Sequence, residues 1–260
     1  IGAVIASGLL LYLLGFILIR GLPHLKPELF AWTYTSDNVS LLPALLSTLM
    51  ITGLTLVLAV PLGVITAIWL TEYARSGSRF VRLVGLMTDT LAGIPSIVYG
   101  LFGLLCFVTW LGWGFSLTAG AVTLGIMILP LIIRSTEEAL RAVPGGYREA
   151  ALSLGAGRLR TVGRIILPAA SGGIMAGVIL AVGRIIGESA ALIYTAGTVA
   201  QVPTSGGDSA RTLSVHLYAL SSEGLHTDAA YATAVVLTVV VVIINAVAAT
   251  VAHRFSQVNP

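Results

Sequence analysis

Residues 134–168 read RSTEEALRAVPGGYREAALSLGAGRLRTVGRIILP, an arginine-rich island between two apolar stretches. A mere connector would be short and unstructured, but this segment carries helix starts and stops. Thr136 is placed to cap a helix through Glu137-Glu138-Ala139-Leu140-Arg141, with Glu137 and Arg141 at i,i+4. Pro144-Gly145-Gly146 breaks the chain, and Tyr147 to Leu154 makes a second short helix closed by Gly155. Arg158 to Arg164 starts a third helical piece, ended by Leu167-Pro168. A rigid helix held by turns on both sides carries force, which a flexible loop does not. Leu152 and Leu154 offer apolar anchors, and Arg148, Glu149, Arg158 and Arg160 a charged rim. Such mixed surfaces suit a reversible protein interface. The competing reading is an interfacial helix that only anchors topology.

What surrounds this island decides the protein class. The 260 residues are 57% hydrophobic and 10% charged, against roughly 25% charged in soluble proteins. With a mean hydropathy of +0.98, most of the chain belongs in lipid. An α-helix needs about twenty apolar residues to cross the hydrocarbon core. Six stretches qualify: Ile1 to Ile19, Leu42 to Leu70, Leu83 to Val108, Phe115 to Ile133, Ser171 to Ala196 and Ala229 to Val251. The expected fold class is therefore all-α, a polytopic membrane protein with six transmembrane helices.

Charge sets the orientation. With the amino terminus inside, the inner loops hold Arg75, Arg79, Arg82, Arg134, Arg141, Arg148, Arg158, Arg160, Arg164 and Arg254. The outer side keeps Arg20, Lys26 and Arg211. The positive-inside rule then predicts that both termini are cytoplasmic. The net charge of +3 is thus topological, and no nucleic-acid partner is expected. The single cysteine, Cys106, excludes an intramolecular disulfide and reads as an inert buried thiol. No basic amino-terminal region with a small-residue cleavage site is visible, so no signal peptide is expected, although the chain opens on Ile1 rather than Met.

The remaining punctuation is sparse. Leu111 to Gly114 reads as a tight outer turn flanked by Trp110 and Trp113. The longer outer segment from Thr198 to Asp228 begins flexibly, then repeats Leu213, Leu217 and Leu220 at helical spacing, which suggests a short helix on the membrane surface. Pro61, Pro95 and Pro130 interrupt spans and serve either packing or a hinge. His24, His216, His226 and His253 share no metal-ligand spacing, and no metal is assigned. Asp89 is expected to pair with Arg82 or with a cation of another helix, and Asn245 to bond between helices.

Arg184 and Glu188 fall near the middle of the fifth span. One Arg at the bilayer centre costs about 2.5–3.5 kcal/mol even on the lenient insertion scale. Spacing i,i+4 predicts both on one helix face, close enough to neutralise one another. Two readings stand: a static pair that fixes register, or an anion path in which the guanidinium forks two donors to an oxyanion. A neighbouring carboxylate accepts a proton-bearing oxygen, which hydrogen phosphate has and sulfate lacks.

Glu149-Ala150-Ala151, three residues, Gly155, nine residues, Ile165, one residue and Leu167-Pro168 resembles the EAA signature of binding-protein-dependent ABC importer permeases. The resemblance implies a type I ABC importer permease (MetI-like) fold. Residues 1–40 would then hold the first helix and an outer loop, and residues 41–254 the permease core, with the coupling loop at 134–168. It implies that Glu149, Ala150, Ala151 and Gly155 contact a cytoplasmic ATPase. No G-x-x-x-x-G-K-[ST] loop occurs in the chain, so ATP with Mg would be hydrolysed by that partner, with no cofactor bound here and no catalysis by this subunit. Arg184 with Gly187-Glu188-Ser189-Ala190-Ala191-Leu192, and Ile94-Pro95-Ser96-Ile97-Val98-Tyr99-Gly100, are similar to phosphate importer permeases. The Ala191-Leu192-Ile193-Tyr194-Thr195-Ala196 and Leu213-Ser214-Val215-His216-Leu217-Tyr218 runs favour the PstA type over the PstC type. The implied partners are a PstC-type permease, two PstB-type ATPase subunits, a PstS-type phosphate-binding protein and membrane lipid. The implied location is a bacterial or archaeal cytoplasmic membrane. Another oxyanion such as molybdate or sulfate is the nearest rival substrate. An ion-gradient-driven transporter and a membrane-embedded enzyme are rivals of other classes.

Overall fold

The computed structural model describes residues 2–75 and 77–257, with side chains to residue 250. Ile1, where the first span was expected to begin, lies outside the described residues, as does the side chain of Arg254. Eleven α-helices follow one another with no strand among the described residues: α1 Gly2–Gly21, α2 Leu42–Ile68, α3 Arg79–Ala92, α4 Ser96–Gly103, α5 Leu117–Ala142, α6 Gly145–Ser153, α7 Arg158–Thr161, α8 Leu167–Gly187, α9 Ala190–Ile193, α10 Leu213–Glu223 and α11 Thr227–Gln257. Among the described residues, five helical stretches are long and apolar enough to cross a membrane, or six if α3 and the helix from Ser96 to Trp110 count as one bent span. Three π-helical turns, Trp69–Tyr73, Leu104–Trp110 and Val162–Ile166, extend α2 and α4 and lead into α8.

The third expected span is the main departure. At Gly93-Ile94-Pro95 the chain turns by 101°. Proline removes a donor and pushes the residue before it out of the helical region, so an apolar run does not stay straight there. The Tyr99 hydroxyl ties the corner by donating to the Leu91 carbonyl at 2.8 Å. Pro61 and Pro130, by contrast, sit inside helices that continue past them.

Two further expectations change. Thr136 does not start a helix: α5 runs unbroken to Ala142, and Thr136 is buried with a hydroxyl that has no hydrogen-bond partner among the described residues. The Glu137–Arg141 pair does form, at 3.3 Å. Leu167-Pro168 likewise ends nothing, since the fifth span is helical from Arg158 to Gly187. The Leu167 N–H bonds the Val162 carbonyl in π register. Pro168 then falls in the first turn of the new α register, where a missing N–H is tolerated.

The chain divides into two compact units, each built from three stretches. The first holds Ile1–Ile51, Gly100–Gly120 and Ile186–Val242. Its core joins Leu41 and Ala44 of the α2 start to Leu213 of α10 and Ala232 of α11. The helix expected to lie on the membrane surface is thus α10, with Leu213, Val215 and Leu220 buried inside this unit. The Leu213 N–H is held by the Thr48 hydroxyl at 2.9 Å. In the turn after Trp110, Gly112 and Gly114 have φ of 68° and 66°, and Trp113 stacks on Phe107 with centroids 5.4 Å apart. Cys106 is a part-buried free thiol in the π turn.

The second unit holds Thr52–Tyr99, Ala121–Ile185 and Ile243–Pro260. Its α5 and α8 approach closely: a Cβ at Gly173 would fall 2.7 Å from that of Ala139. Leu140 and Val143 pack there against Ile166 and Ala170. Asp89 pairs with Arg134 at 3.0 Å rather than with Arg82. The side-chain carbonyl oxygen of Asn245 finds no hydrogen-bond partner among the described residues.

Candidate functional site

Residues 134–168 fold as an elbow. After α5 ends at Ala142, Val143 is buried and Pro144 turns the chain into α6. Arg148 then points inward. Its Nε and Nη2 donate to both oxygens of Glu72, at 3.1, 3.3 and 2.6 Å. Its remaining donors reach the carbonyls of Val143 at 3.0 Å and Leu140 at 2.8 Å. These are two carbonyls at the end of α5, where acceptors lack intrahelical partners. Five hydrogen bonds on one planar fork fix the angle between α5 and α6. Arg148 therefore does not belong to the charged rim assigned to it from sequence.

The far side of the elbow closes on Gly155, whose φ of +79° is a left-handed conformation that suits glycine. Its N–H bonds the Leu152 carbonyl at 2.9 Å, and the Ala156 N–H the Ala151 carbonyl at 3.0 Å. Ala151 is buried against its own unit, while Glu149, Ala150 and Gly155 are exposed. Leu154 and Leu159 stand out at 88% and 80% exposure, with Leu152 and Tyr147 beside them more than half exposed. This apolar corner is carried on a backbone fixed by the Arg148 hydrogen bonds.

Arg184 and Glu188 are placed differently from the expectation. Helix α8 ends at Gly187, so Glu188 lies beyond it rather than one turn along its face. The Glu188 carboxylate accepts from the Ala191 N–H at 3.2 Å, at the start of α9. Its main-chain carbonyl accepts from the Ser214 hydroxyl at 2.6 Å. Just past the break, Gly100 packs so closely that a Cβ there would lie 2.8 Å from the Ala191 Cα. Arg184 is exposed and makes no ion pair among the described residues, so the mutual neutralisation predicted by helical spacing does not occur.

The segment between α9 and α10 is more ordered than its glycines suggest. Asp208 accepts from the N–H and hydroxyl groups of Thr204 and Ser205 at 2.8 to 3.0 Å. These bonds hold its carboxyl down to about 2. Arg211 stacks over Tyr34 at 5.5 Å and donates to the Thr198 carbonyl at 2.7 Å. His216 lies fully buried edge-on to Tyr34. Burial, and then the Arg211 charge, push its imidazole down to about 4, opposed in part by the Val39 carbonyl. Among the described residues no group of three His, Cys, Asp or Glu side chains converges as a metal set.

The family model described as "binding-protein-dependent transport system inner membrane component" matches residues 59–257. The chain belongs to this family. Such a permease is a multi-pass protein of the inner membrane. A "Probable ABC transporter permease protein YqgI" of Bacillus subtilis is 34% identical over 68% of this chain and 61% of its own length. A "Phosphate transport system permease protein PstA" of Mycobacterium leprae is 44% identical over 48% of this chain and 40% of its own length. The permease thus spans roughly half the length of the curated relatives it matches. Among solved structures, a bacterial alginate ABC transporter in complex with an alginate pentasaccharide-bound periplasmic protein superposes with a TM-score of 0.67. It covers 98% of this chain and 95% of that chain at 18% identity, and so shows the permease fold.

Glu72 and Tyr73 escaped the sequence reading. An acid at the end of an apolar run was the available signal, but its partner lies 76 residues away.

Proposed function

We propose that this permease is the PstA-type subunit of an ATP-driven phosphate importer, forming half of the translocation pore. The carrying observation is the elbow: exposed Leu152, Leu154 and Leu159 on a backbone braced by Arg148. Glu149, Ala150 and Gly155 would meet the ATPase subunit there, and buried Ala151 would seat α6 on its own unit. The partners are two PstB-type ATPase subunits, which hydrolyse ATP with Mg, a PstC-type permease and a PstS-type phosphate-binding protein. This subunit binds no cofactor and performs no catalysis. Residues 41–254 form the core, with the coupling loop at 134–168. Both termini face the cytoplasm of a bacterial or archaeal cell, as the arginine distribution supports.

Substrate choice rests on relatives named as phosphate permeases and on Arg184, a cation in a membrane helix without a carboxylate partner among the described residues. An unpaired guanidinium offers a forked donor set to an oxyanion. Glu188 stands near the same break. Co-purification of the chain with its neighbours, followed by identification of the ligand on the binding protein, tests family and substrate together. Phosphate on that protein supports the reading; molybdate or sulfate replaces the substrate, and absence of any ATPase subunit overturns the proposal. Arg184→Gln is expected to abolish uptake in an assembled complex.

A further inference from the structure

The cytoplasmic elbow is held by two consecutive residues of one irregular turn. At the end of α2 the Ala74 N–H bonds the Trp69 carbonyl at 2.8 Å, an i→i+5 closure. Single π turns of this kind cluster at functional sites because the extra residue re-aims side chains. Here the re-aimed residues are Glu72 and Tyr73. Glu72 is 8% exposed and takes the Arg148 fork from α6. Tyr73 offers its ring to the Arg158 guanidinium of α7, 5.6 Å from the ring centroid. The π turn therefore grips the elbow on both sides of Gly155, once through a buried ion pair and once through a cation–π contact.

The two grips differ in kind. Breaking a buried ion pair by removing one partner is strongly destabilising, so the Glu72–Arg148 pair is the firmer of the two grips. An exposed cation–π contact is weaker and tolerates sliding. Val143 and Leu140 share the Arg148 fork, so α5, α6 and the end of α2 meet at one guanidinium. Arg148 thereby joins α6 directly to Glu72.

We propose that Glu72 and Tyr73 are positioning residues: they form the strut through which movement of the α6–α7 elbow is delivered to α2. The proposal rests on the elbow being the ATPase contact. Gly155 supplies the bend, and the π turn supplies the handle.

The test uses the assembled transporter in proteoliposomes, with phosphate uptake and ATP hydrolysis measured together. Glu72→Gln is expected to leave ATPase subunits bound and hydrolysis running, while phosphate moved per ATP falls about tenfold, the scale of a typical coupling energy. Tyr73→Phe keeps the ring and stays near the parent, whereas Tyr73→Leu lowers the ratio several-fold. Spin labels at R75C and S153C, read by pulsed distance measurement, supply a second readout. The strut predicts the same distance in nucleotide-free and nucleotide-trapped states, within the roughly 1–2 Å of ordinary helix shifts. An unchanged ratio in both Glu72→Gln and Tyr73→Leu overturns the strut while leaving the ATPase contact standing, as does a distance change of about 5 Å, one helical turn. Uptake by parent protein without bound ATPase subunits instead overturns the underlying assignment of the elbow. If Glu72→Gln fails to assemble, the Tyr73 pair and the label distances decide the matter.

Discussion

The Glu188 carboxylate accepts a hydrogen bond from the Ala191 N–H at 3.2 Å, so the acid caps α9 instead of facing Arg184 along α8. A carboxylate at a helix start is stabilised by the free N–H groups there. Glutamine keeps one acceptor oxygen and loses the charge. Glu188→Gln is therefore expected to assemble normally, to take up phosphate more slowly and to lose part of its preference over sulfate. Competition of labelled phosphate uptake by sulfate measures this. Parent-like uptake with parent-like preference would remove Glu188 from the substrate path.

Gly155 has open space around its missing side chain, so a methyl group meets no clash. Its φ of +79° still disfavours an L-residue, by about 1–2 kcal/mol. Gly155→Ala is expected to leave the melting temperature of the permease within a few degrees of the parent, while lowering the ATPase stimulation produced by ligand-loaded binding protein. A parent-like stimulation would mean that the left-handed turn has no part in coupling.

Acid should loosen the first unit through His216. Its ordinary value of 6.5 falls to about 4 in the fold, so the unfolded chain binds the proton first as pH drops. Stability from this group is complete above about pH 6.5 and is lost progressively down to about pH 4, by up to about 3 kcal/mol. Asp208, held down to about 2, acts in a separate, lower window. Thermal unfolding at pH 7 and pH 4.5 should differ less in His216→Gln than in the parent; equal differences would show that His216 is not the responsible group.

Gly173 tests the seam between α5 and α8. A side chain there runs into Ala139, and overpacking of this kind costs about 1–3 kcal/mol. Gly173→Leu should lower the thermal stability of the detergent-solubilised permease, whereas Gly172→Ala, where a Cβ meets nothing, should not.

Much of this architecture is written in the chain because lipid demands long apolar helices, and α2, α5 and α11 answer that demand directly. The elbow was legible for a different reason: proline, glycine and charge punctuate it at fixed positions. The failures share a cause. Thr136 carries a good cap residue but sits where the helix was already formed and buried, and packing overrode the local preference. Pro95 and Pro130 look alike in sequence, yet one makes a corner and the other does not. Helical spacing put Arg184 and Glu188 on one face, but the helix stops between them at Gly187. Glu72 and Arg148 meet only because three helices fold back, which no local pattern announces.

Sealed vesicles containing the purified permeases, with and without the ATPase subunits, measure the central point most directly. The account predicts that phosphate accumulates only with ATP inside the compartment corresponding to the cytoplasm and only when the ATPase subunits are bound at the elbow. Accumulation driven by an ion gradient, with no nucleotide and no ATPase subunit present, would contradict it.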